Sequence, residues 1–435
     1  MSSAIKLSLE TEVIQPAGGW EHFARTNWER QPRYFHEVFR EPLLEKNKVF
    51  QVLVKTSEKA RRGLETQPNQ KGRVRFYVEH GHVTSVAGQY LPTSEDQSFE
   101  GFANRILTEL NGRDFTLIAN NVQAVDFELW DRMRAFLSGL CAIVGTPLRS
   151  EITIYTSKSR LTAAGVHIDT YSNFLFQVVG HKRFRMWPSE ILRAKPHLIR
   201  SLNYDEILAD AITAEVGPGD LLYVPSDFYH LAETDDDGLS VHVSFIMNTE
   251  KEGWYGLAER LASKAAKQHR NGSCPEPFLL PQSTGEIKSL VPADLISSFN
   301  NLGENMEELM VAELVRTMSV LGCELSPPPE SQVAPLREND IVERNTQSII
   351  SYQVFKGTLY FASNGQGFSC PAHPHLVDFV EQLTKGIARH RVGSLLDQLS
   401  GIASIDSVPV ALEQRQIGSF LDTLHMTRAI QIVAP

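Results

Sequence analysis

Cysteine is scarce in this 435-residue chain: Cys141, Cys274, Cys323 and Cys370 are the only four, and they are widely scattered. That is too few for a disulfide framework, so they read as reduced thiols in a reducing compartment. Long apolar runs are also missing; none approaches the ~20 residues that a membrane-spanning helix needs. The opening "MSSAIKLSLETEVIQ" has neither the charged n-region nor the apolar h-region of a secretory signal. The expected address is therefore cytoplasmic, with no membrane partner. Positive charge is in short supply too. Lys and Arg number 42 against 52 Asp and Glu, a net charge of -10, whereas neutralising nucleic-acid phosphates needs the opposite balance. Nucleic acid is thus disfavoured as a partner. No internal repeat is visible.

The length permits two or three domains, each with its own core. Residues 20 to 65 mix helix-like charge with aromatic anchors, and short strand candidates follow in "RVRFYVEHG" and "FTLIANN". "DFELWDRMRAFLSGLCAIVG" predicts an amphipathic helix, because Phe127, Trp130, Met133, Phe136, Leu137 and Leu140 recur at three- and four-residue steps. From about Glu151 to Asn248 strands dominate, in "EITIYTS", "NFLFQVV", "KRFRMWP", "DLLYVP" and "LSVHVSFIM". Their density predicts a mainly β core, sandwich or barrel, with flanking helices. A helical middle region is expected over 251–325 and a proline-rich linker over 326–345 ("ELSPPPESQVAPLREND"). An α+β unit resembling a small winged-helix module follows over 346–435. Its stretch from Pro371 to Pro435 has five Lys and Arg against six Asp and Glu; a DNA reader should be distinctly basic, so this tail reads as scaffold or docking element.

Chemistry concentrates in "GVHIDTYSNFLFQVVGHKR", Gly165 to Arg183. His167 and Asp169 are two apart, so on an extended strand they share a face, as two metal ligands on one strand must. "VGPGDLLYVPSDFYH" ends a short buried strand at His230. Two imidazoles and a carboxylate form a facial set that suits Fe(II) with open positions, whereas zinc usually takes a fourth protein ligand or keeps a single open site. Lys182 supplies the cation that a keto-dicarboxylate such as 2-oxoglutarate would need for its far carboxylate, since a buried ammonium is costly without a partner. Residue parity puts His167, Asp169 and Asn173 on one face and Lys182 on the other, with Gly180 as a turn where the face can reset.

These residues together resemble the JmjC-type, cupin-fold 2-oxoglutarate oxygenases, most closely their bacterial ribosomal-oxygenase branch. The resemblance is strongest over about 150–250, extends over 20–150, where "WERQPRYF" is similar to that branch, and is architectural beyond 250. It implies a double-stranded β-helix core within a catalytic domain spanning 1–250. It also implies Fe(II) held by His167, Asp169 and His230, with 2-oxoglutarate and O2 as cosubstrates and Lys182 on the far carboxylate. Asn173 and Ser244 match cosubstrate-pocket positions, and the helices of 251–325 suggest a homodimer. The reaction implied is hydroxylation of a side chain of a protein or peptide, such as a ribosomal protein or a natural-product precursor, with release of succinate and CO2. Two alternatives stand beside it: a non-catalytic cupin sensor coupled to the winged-helix module, and an N-methyl-lysine demethylase.

Blander readings compete residue by residue. Asn173 and Ser244 serve equally as satisfied strand polar groups. Tyr171 reads as a substrate platform, since it flanks the metal face, or as a plain barrel aromatic. His242 alternates with Ser240 and Ser244 on one strand face, which makes it either a substrate-pocket residue or a hydrogen-bonded core histidine. His181 reads as structural, "CPAHPH" (Cys370, His373, His375) as a turn before a helix, and "TDDDG" (Thr234 to Gly238) as a hairpin turn. The ribosomal branch usually carries His-x-Asp-x-Tyr-Asp where this chain has "HIDTYSN", with Ser172 in place of the second aspartate. That slip is the expected mark of a different substrate.

Overall fold

The structure, a computed structural model, describes residues 19–36, 43–66, 74–79, 81–83, 88–161, 164–234, 238–248, 253–268, 293–330, 333–386, 389–401, 403–405 and 408–434. The opening segment read above for a secretory signal and the acidic centre of the "TDDDG" turn lie outside the described residues. The chain divides into two compact units, Met1–Thr249 with Leu321–Pro328, and Glu250–Val320 with Pro329–Pro435.

The first unit begins with α1 (Gly19–Thr26), β1 (Arg33–Phe35), α2 (Lys46–Thr66), β2 (Val74–Val78) and β3 (Gly81–Val83). It continues with α3 (Phe99–Glu109), β4 (Phe115–Ala119), α4 (Phe127–Val144) and β5 (Arg149–Lys158). The remaining elements are β6 (His167–Ile168), β7 (Ser172–Val179), β8 (Lys182–Pro188), α5 (Ser189–Ala194), β9 (Ile212–Val216), β10 (Leu221–Val224), β11 (Phe228–Glu233) and β12 (Ser240–Asn248). Eight strands form one antiparallel sheet in the order β1-β10-β7-β12-β5-β4-β2-β3, and four form a second, β6-β11-β8-β9. This is the mainly β, helix-flanked core that the strand density predicts. The expected amphipathic helix is α4, whose N-terminus is capped by Asp126 accepting from the Leu129 amide at 3.0 Å. Its buried face carries Phe136, which meets Trp20 of α1 edge to face at 5.1 Å; Trp20 in turn meets Phe174 of β7 at 6.3 Å.

The two sheets are linked at the corner between β7 and β8. Gly180 there has φ +67°, and a Cβ on it would lie 2.1 Å from the Leu239 carbonyl oxygen. The Gln177 amide closes the corner by donating to the Val179 carbonyl at 2.7 Å and to Ser240 Oγ at 2.9 Å. Because the chain changes sheets here, residue parity is not continuous across the corner. Lys182, at the start of β8, therefore reaches the same interior as Asn173 of β7.

The second unit contains α6 (Gly253–Gln268), α7 (Ala293–Glu304) and α8 (Met306–Met318), followed by β13 (Ile341–Arg344), β14 (Ile350–Phe355), β15 (Thr358–Ser363) and β16 (Gln366–Pro371). Then come α9 (Pro374–Lys385), β17 (His390–Arg391), α10 (Val392–Leu399), β18 (Ala403–Ile405), β19 (Val408–Val410), α11 (Gln414–Met426) and β20 (Ile430–Val433). The strands pair as β17-β13-β20, β14-β15-β16 and β18-β19. Two boundaries differ from the sequence reading. Residues 321–328, expected to end the helical region and begin the linker, join the first unit: the Ser150 amide donates to the Gly322 carbonyl at 2.8 Å, and Gln123 Nε2 donates to the Leu325 carbonyl at 3.1 Å. The linker expected through 345 ends in β13, where Val342 is fully buried; the prolines upstream mask a four-residue strand.

Gly180→Ala adds a methyl against a backbone carbonyl at a positive φ. The expected result is a loss of ~2 kcal/mol or more, measured as a lower urea midpoint with an unchanged slope.

Candidate metal centre

His167 of β6 and His230 of β11 are direct partners across an antiparallel ladder, which brings their rings to 4.3 Å between centroids. Asp169 follows β6 immediately, and its Oδ2 lies 3.6 Å from His230 Nε2. One ligand atom from each of the three falls within 4.8 Å of the others. The tautomers follow from the backbone. His167 Nδ1 is 2.8 Å from the Gly165 carbonyl and His230 Nδ1 is 3.3 Å from the Phe228 carbonyl. A carbonyl can only accept, so each Nδ1 carries the proton and each Nε2 keeps its lone pair. Burial, reinforced by the neighbouring His230, pushes the His167 imidazole down to about 4. It is thus neutral at pH 7, the state in which it can ligate. Two imidazole lone pairs and one carboxylate converging on a common point fit a divalent metal with open positions.

The centre opens into a cavity of about 450 Å³ between the two sheets. Lys182 lies in its wall, buried, and its ammonium has no hydrogen bond or ion pair among the described residues. Desolvation alone lowers its ammonium to about 8. Nearby, the His242 ring stacks on Tyr155 at 4.6 Å. Burial first, and then the Lys182 charge, hold this imidazole well below its usual range, so it stays neutral. His242 Nδ1 and Asn173 Oδ1 are buried without partners. An unneutralised ammonium fits an anionic occupant, while the Asn173 oxygen, which can only accept, calls for a donor.

Tyr171 also lines the cavity, and burial, with Tyr155 and Asp169 nearby, raises the phenol's pKa well above the ordinary range. Ser244 is fully buried opposite Leu175 but is not among the residues lining the cavity, and its Oγ is unpaired. Ser172 points away from the cavity. Its hydroxyl donates to the Glu29 carboxylate and is 2.9 Å from the Tyr223 hydroxyl, while Ser226 Oγ donates to the other Glu29 oxygen at 2.6 Å. The Ser172 hydroxyl is thus engaged by Glu29, from the chain segment after α1, and does not line the cavity.

Arg75 and Tyr77 of β2, Tyr155 of β5 and Arg200 also line the cavity, and none of them is singled out by the sequence alone. The first two alternate in "RVRFYVEHG", a visible signal of a shared face. Arg200 leaves no such signal, because it is placed by its backbone hydrogen bonds.

Residues 128–252 match the family model described as the JmjC domain. Among curated proteins, the chain is 29% identical over 167 residues to the bifunctional lysine-specific demethylase and histidyl-hydroxylase NO66 of Drosophila yakuba, covering 37% of this chain and 24% of that protein. It is 25% identical over 169 residues to a probable ribosomal oxygenase of Haemophilus influenzae, covering 38% and 40%. The matches thus span well under half of those relatives' lengths. Among solved structures, the Escherichia coli ribosomal oxygenase YcfD in complex with cobalt and 2-oxoglutarate aligns over 95% of this chain and 98% of that one, at 15% identity and a TM-score of 0.48. No helix among the described residues is long and apolar enough to cross a membrane. Residues 128–252 thus match the JmjC domain, and over part of its length the chain is similar to ribosomal oxygenases.

Proposed function

We propose that the protein is an Fe(II)- and 2-oxoglutarate-dependent oxygenase that hydroxylates a side chain of a protein or peptide. The observation that carries this reading is one cavity holding both the converging His167, Asp169 and His230 and the unneutralised ammonium of Lys182. His167 and His230 would hold the metal through Nε2 and Asp169 through its carboxylate. Fe(II) and the keto acid, when bound, supply an oxidant that places one atom of O2 on a substrate C–H and leaves succinate and CO2. The chain's own residues prepare that chemistry. The Gly165 and Phe228 carbonyls lock both imidazoles in the ligating tautomer. Lys182 would pair with the far carboxylate, and Asn173 and His242 present polar atoms to the same space. Lys182 and His242 are buried, so polar contacts at this inner end of the cavity act in a medium of lowered dielectric.

With Fe(II), 2-oxoglutarate and a pool of ribosomal proteins, the wild-type protein is expected to release succinate and add 16 Da to a product. His167→Ala is expected to lose both activities and to bind Mn(II) at least ~10-fold more weakly, as removal of a direct ligand implies. Formaldehyde release in place of the 16 Da addition, or equal turnover by the variant, would overturn the reading.

Lys182 gives a separate signature. In the ligand-free protein its ammonium is destabilised by burial. Lys182→Met is therefore expected to raise stability at pH 7 by up to ~3 kcal/mol, the free-energy equivalent of the depressed pKa, while abolishing saturable 2-oxoglutarate binding. Thermal unfolding and calorimetry read the two effects. An unstable variant, or one that binds normally, contradicts the assignment.

The pH dependence has a definite sign. The folded lysine titrates near 8 and the unfolded one near 10.5. Between these values the unfolded chain holds more protons, so wild-type stability is expected to rise with pH. Over the same range the cation is lost, and the 2-oxoglutarate Kd is expected to rise by about tenfold per pH unit. Titration calorimetry at stepped pH checks the opposed trends.

A further inference from the structure

Two charged residues in the cavity wall have no part in the scheme above. Arg75, on β2, and Arg200, just after α5, both line the cavity with exposed side chains. Neither guanidinium has an ion pair or hydrogen bond among the described residues. Among the described residues of the wall, the only acid is Asp169. A chain of net charge -10 thus encloses a distinctly cationic pocket.

Arg200 is held in a conformation that its side chain does not favour. Its φ is +68°, a region that glycine or asparagine usually fills. Two reciprocal backbone bonds keep it there: the Arg200 amide donates to the Val166 carbonyl at 2.8 Å, and the Val166 amide donates to the Ser201 carbonyl at 2.9 Å. Gly165 makes room for this, since a Cβ on it would lie 2.5 Å from the Arg200 carbonyl oxygen. Arg200 is therefore tied to the strand that carries His167, close enough for its charge to act on that imidazole. A backbone outlier pinned beside a reactive centre points to a function for the residue it carries.

The inner charges already balance without the arginines. With a divalent metal on Asp169 and two neutral histidines, and a dicarboxylate facing Lys182, the positive and negative charges cancel. The arginines are left over as the site's free cations. Arg75 sits near the partly neutralising Glu151, but burial raises the Glu151 carboxyl, and its oxygen is occupied by Asn121 Nδ2 at 2.9 Å.

We propose that Arg75 and Arg200 select the substrate, clamping carboxylates that flank the hydroxylated side chain, so that the preferred substrate is an acidic segment of a protein. The proposal rests on the oxygenase reading above for what happens inside the cavity, but it concerns the recognition step alone. Guanidinium suits the role because its planar fork takes a carboxylate through two hydrogen bonds. An acidic peptide is favoured over RNA as the anion, because the surrounding charge of -10 repels an extended polyanion while a short acidic segment meets only the local field.

The test uses the full chain loaded with Mn(II) and 2-oxoglutarate, without turnover. Fluorescence anisotropy is read for short labelled peptide pools rich in Asp and Glu, neutral, or rich in Lys and Arg, and for a single-stranded RNA oligonucleotide. The acidic pool is expected to bind ~10-fold more tightly than the neutral one, the scale of one charge-assisted hydrogen-bonded pair, and to weaken as salt is raised. Arg75→Glu and Arg200→Glu are expected to reverse the preference toward the basic pool, a gain that a misfolded variant cannot show. Equal binding of the three pools, a wild-type preference for the basic pool, or tighter binding of RNA than of the acidic pool would overturn the proposal. Calorimetry of 2-oxoglutarate with the same wild-type sample separates the two layers: if the dicarboxylate binds while acidic peptides are not preferred, substrate selection fails and the oxygenase reading stands.

Discussion

The architecture has to keep one ammonium, that of Lys182, between two sheets with no carboxylate beside it. A lysine near a surface escapes such a position by extending its flexible stem to water. Lys182 is placed at the start of β8, paired with Val216 of β9, with the very next residues laddered to β11, so its backbone cannot drift. The corner at Gly180 sets the direction from which β8 arrives, and the Gln177 side chain ties that corner to β12. His242 bears the consequence. Two cations cannot share so dry a space, so the imidazole remains neutral and stacks on Tyr155 instead of pairing with an acid. A pocket organised around an unneutralised positive charge is held ready for an anion, and its folding free energy is lower until the anion arrives.

What the sequence reveals here follows from the distance over which each signal acts. Strand periodicity is local, so the β core and its flanking helices are legible, and α4 runs where the three- and four-residue steps place it. The pairing of His167 with His230 joins residues 63 positions apart, yet its chemistry is readable because His-x-Asp and the strand ending in His230 each have a local form. Arg75, Ile118, Tyr155 and His242 are different. They lie in one row across β2, β4, β5 and β12, created by ladder register alone, and only His242 drew notice in the sequence. Parity misleads at Lys182 for a physical reason: alternation holds within a strand and is reset where the chain passes from one sheet to the other. Arg200 is less legible still, since a positive φ in a non-glycine residue leaves no mark in composition.

Ser172 shows how the fold can turn a residue beside the metal-bearing segment away from the cavity. Read in sequence, the loss of a carboxylate next to Tyr171 suggests altered chemistry at the site. In the fold, Tyr171 and Asn173 face the cavity, and alternation turns Ser172 to the opposite side of β7. There its hydroxyl meets the Glu29 carboxylate and the Tyr223 hydroxyl, and the Tyr223 oxygen also accepts the Glu29 amide at 2.9 Å. Glu29 itself has φ +51°, so this carboxylate is presented from a tight turn that the network holds in place. A carboxylate from another segment of the chain thus lies behind the metal-bearing face, held by the Ser172 and Ser226 hydroxyls. Ser172 therefore adds nothing to the cavity wall, which is lined by residues on the other side of the strands. There the unassigned charges are those of Arg75 and Arg200, and the acidic character of the rest of the molecule makes their isolation more pronounced.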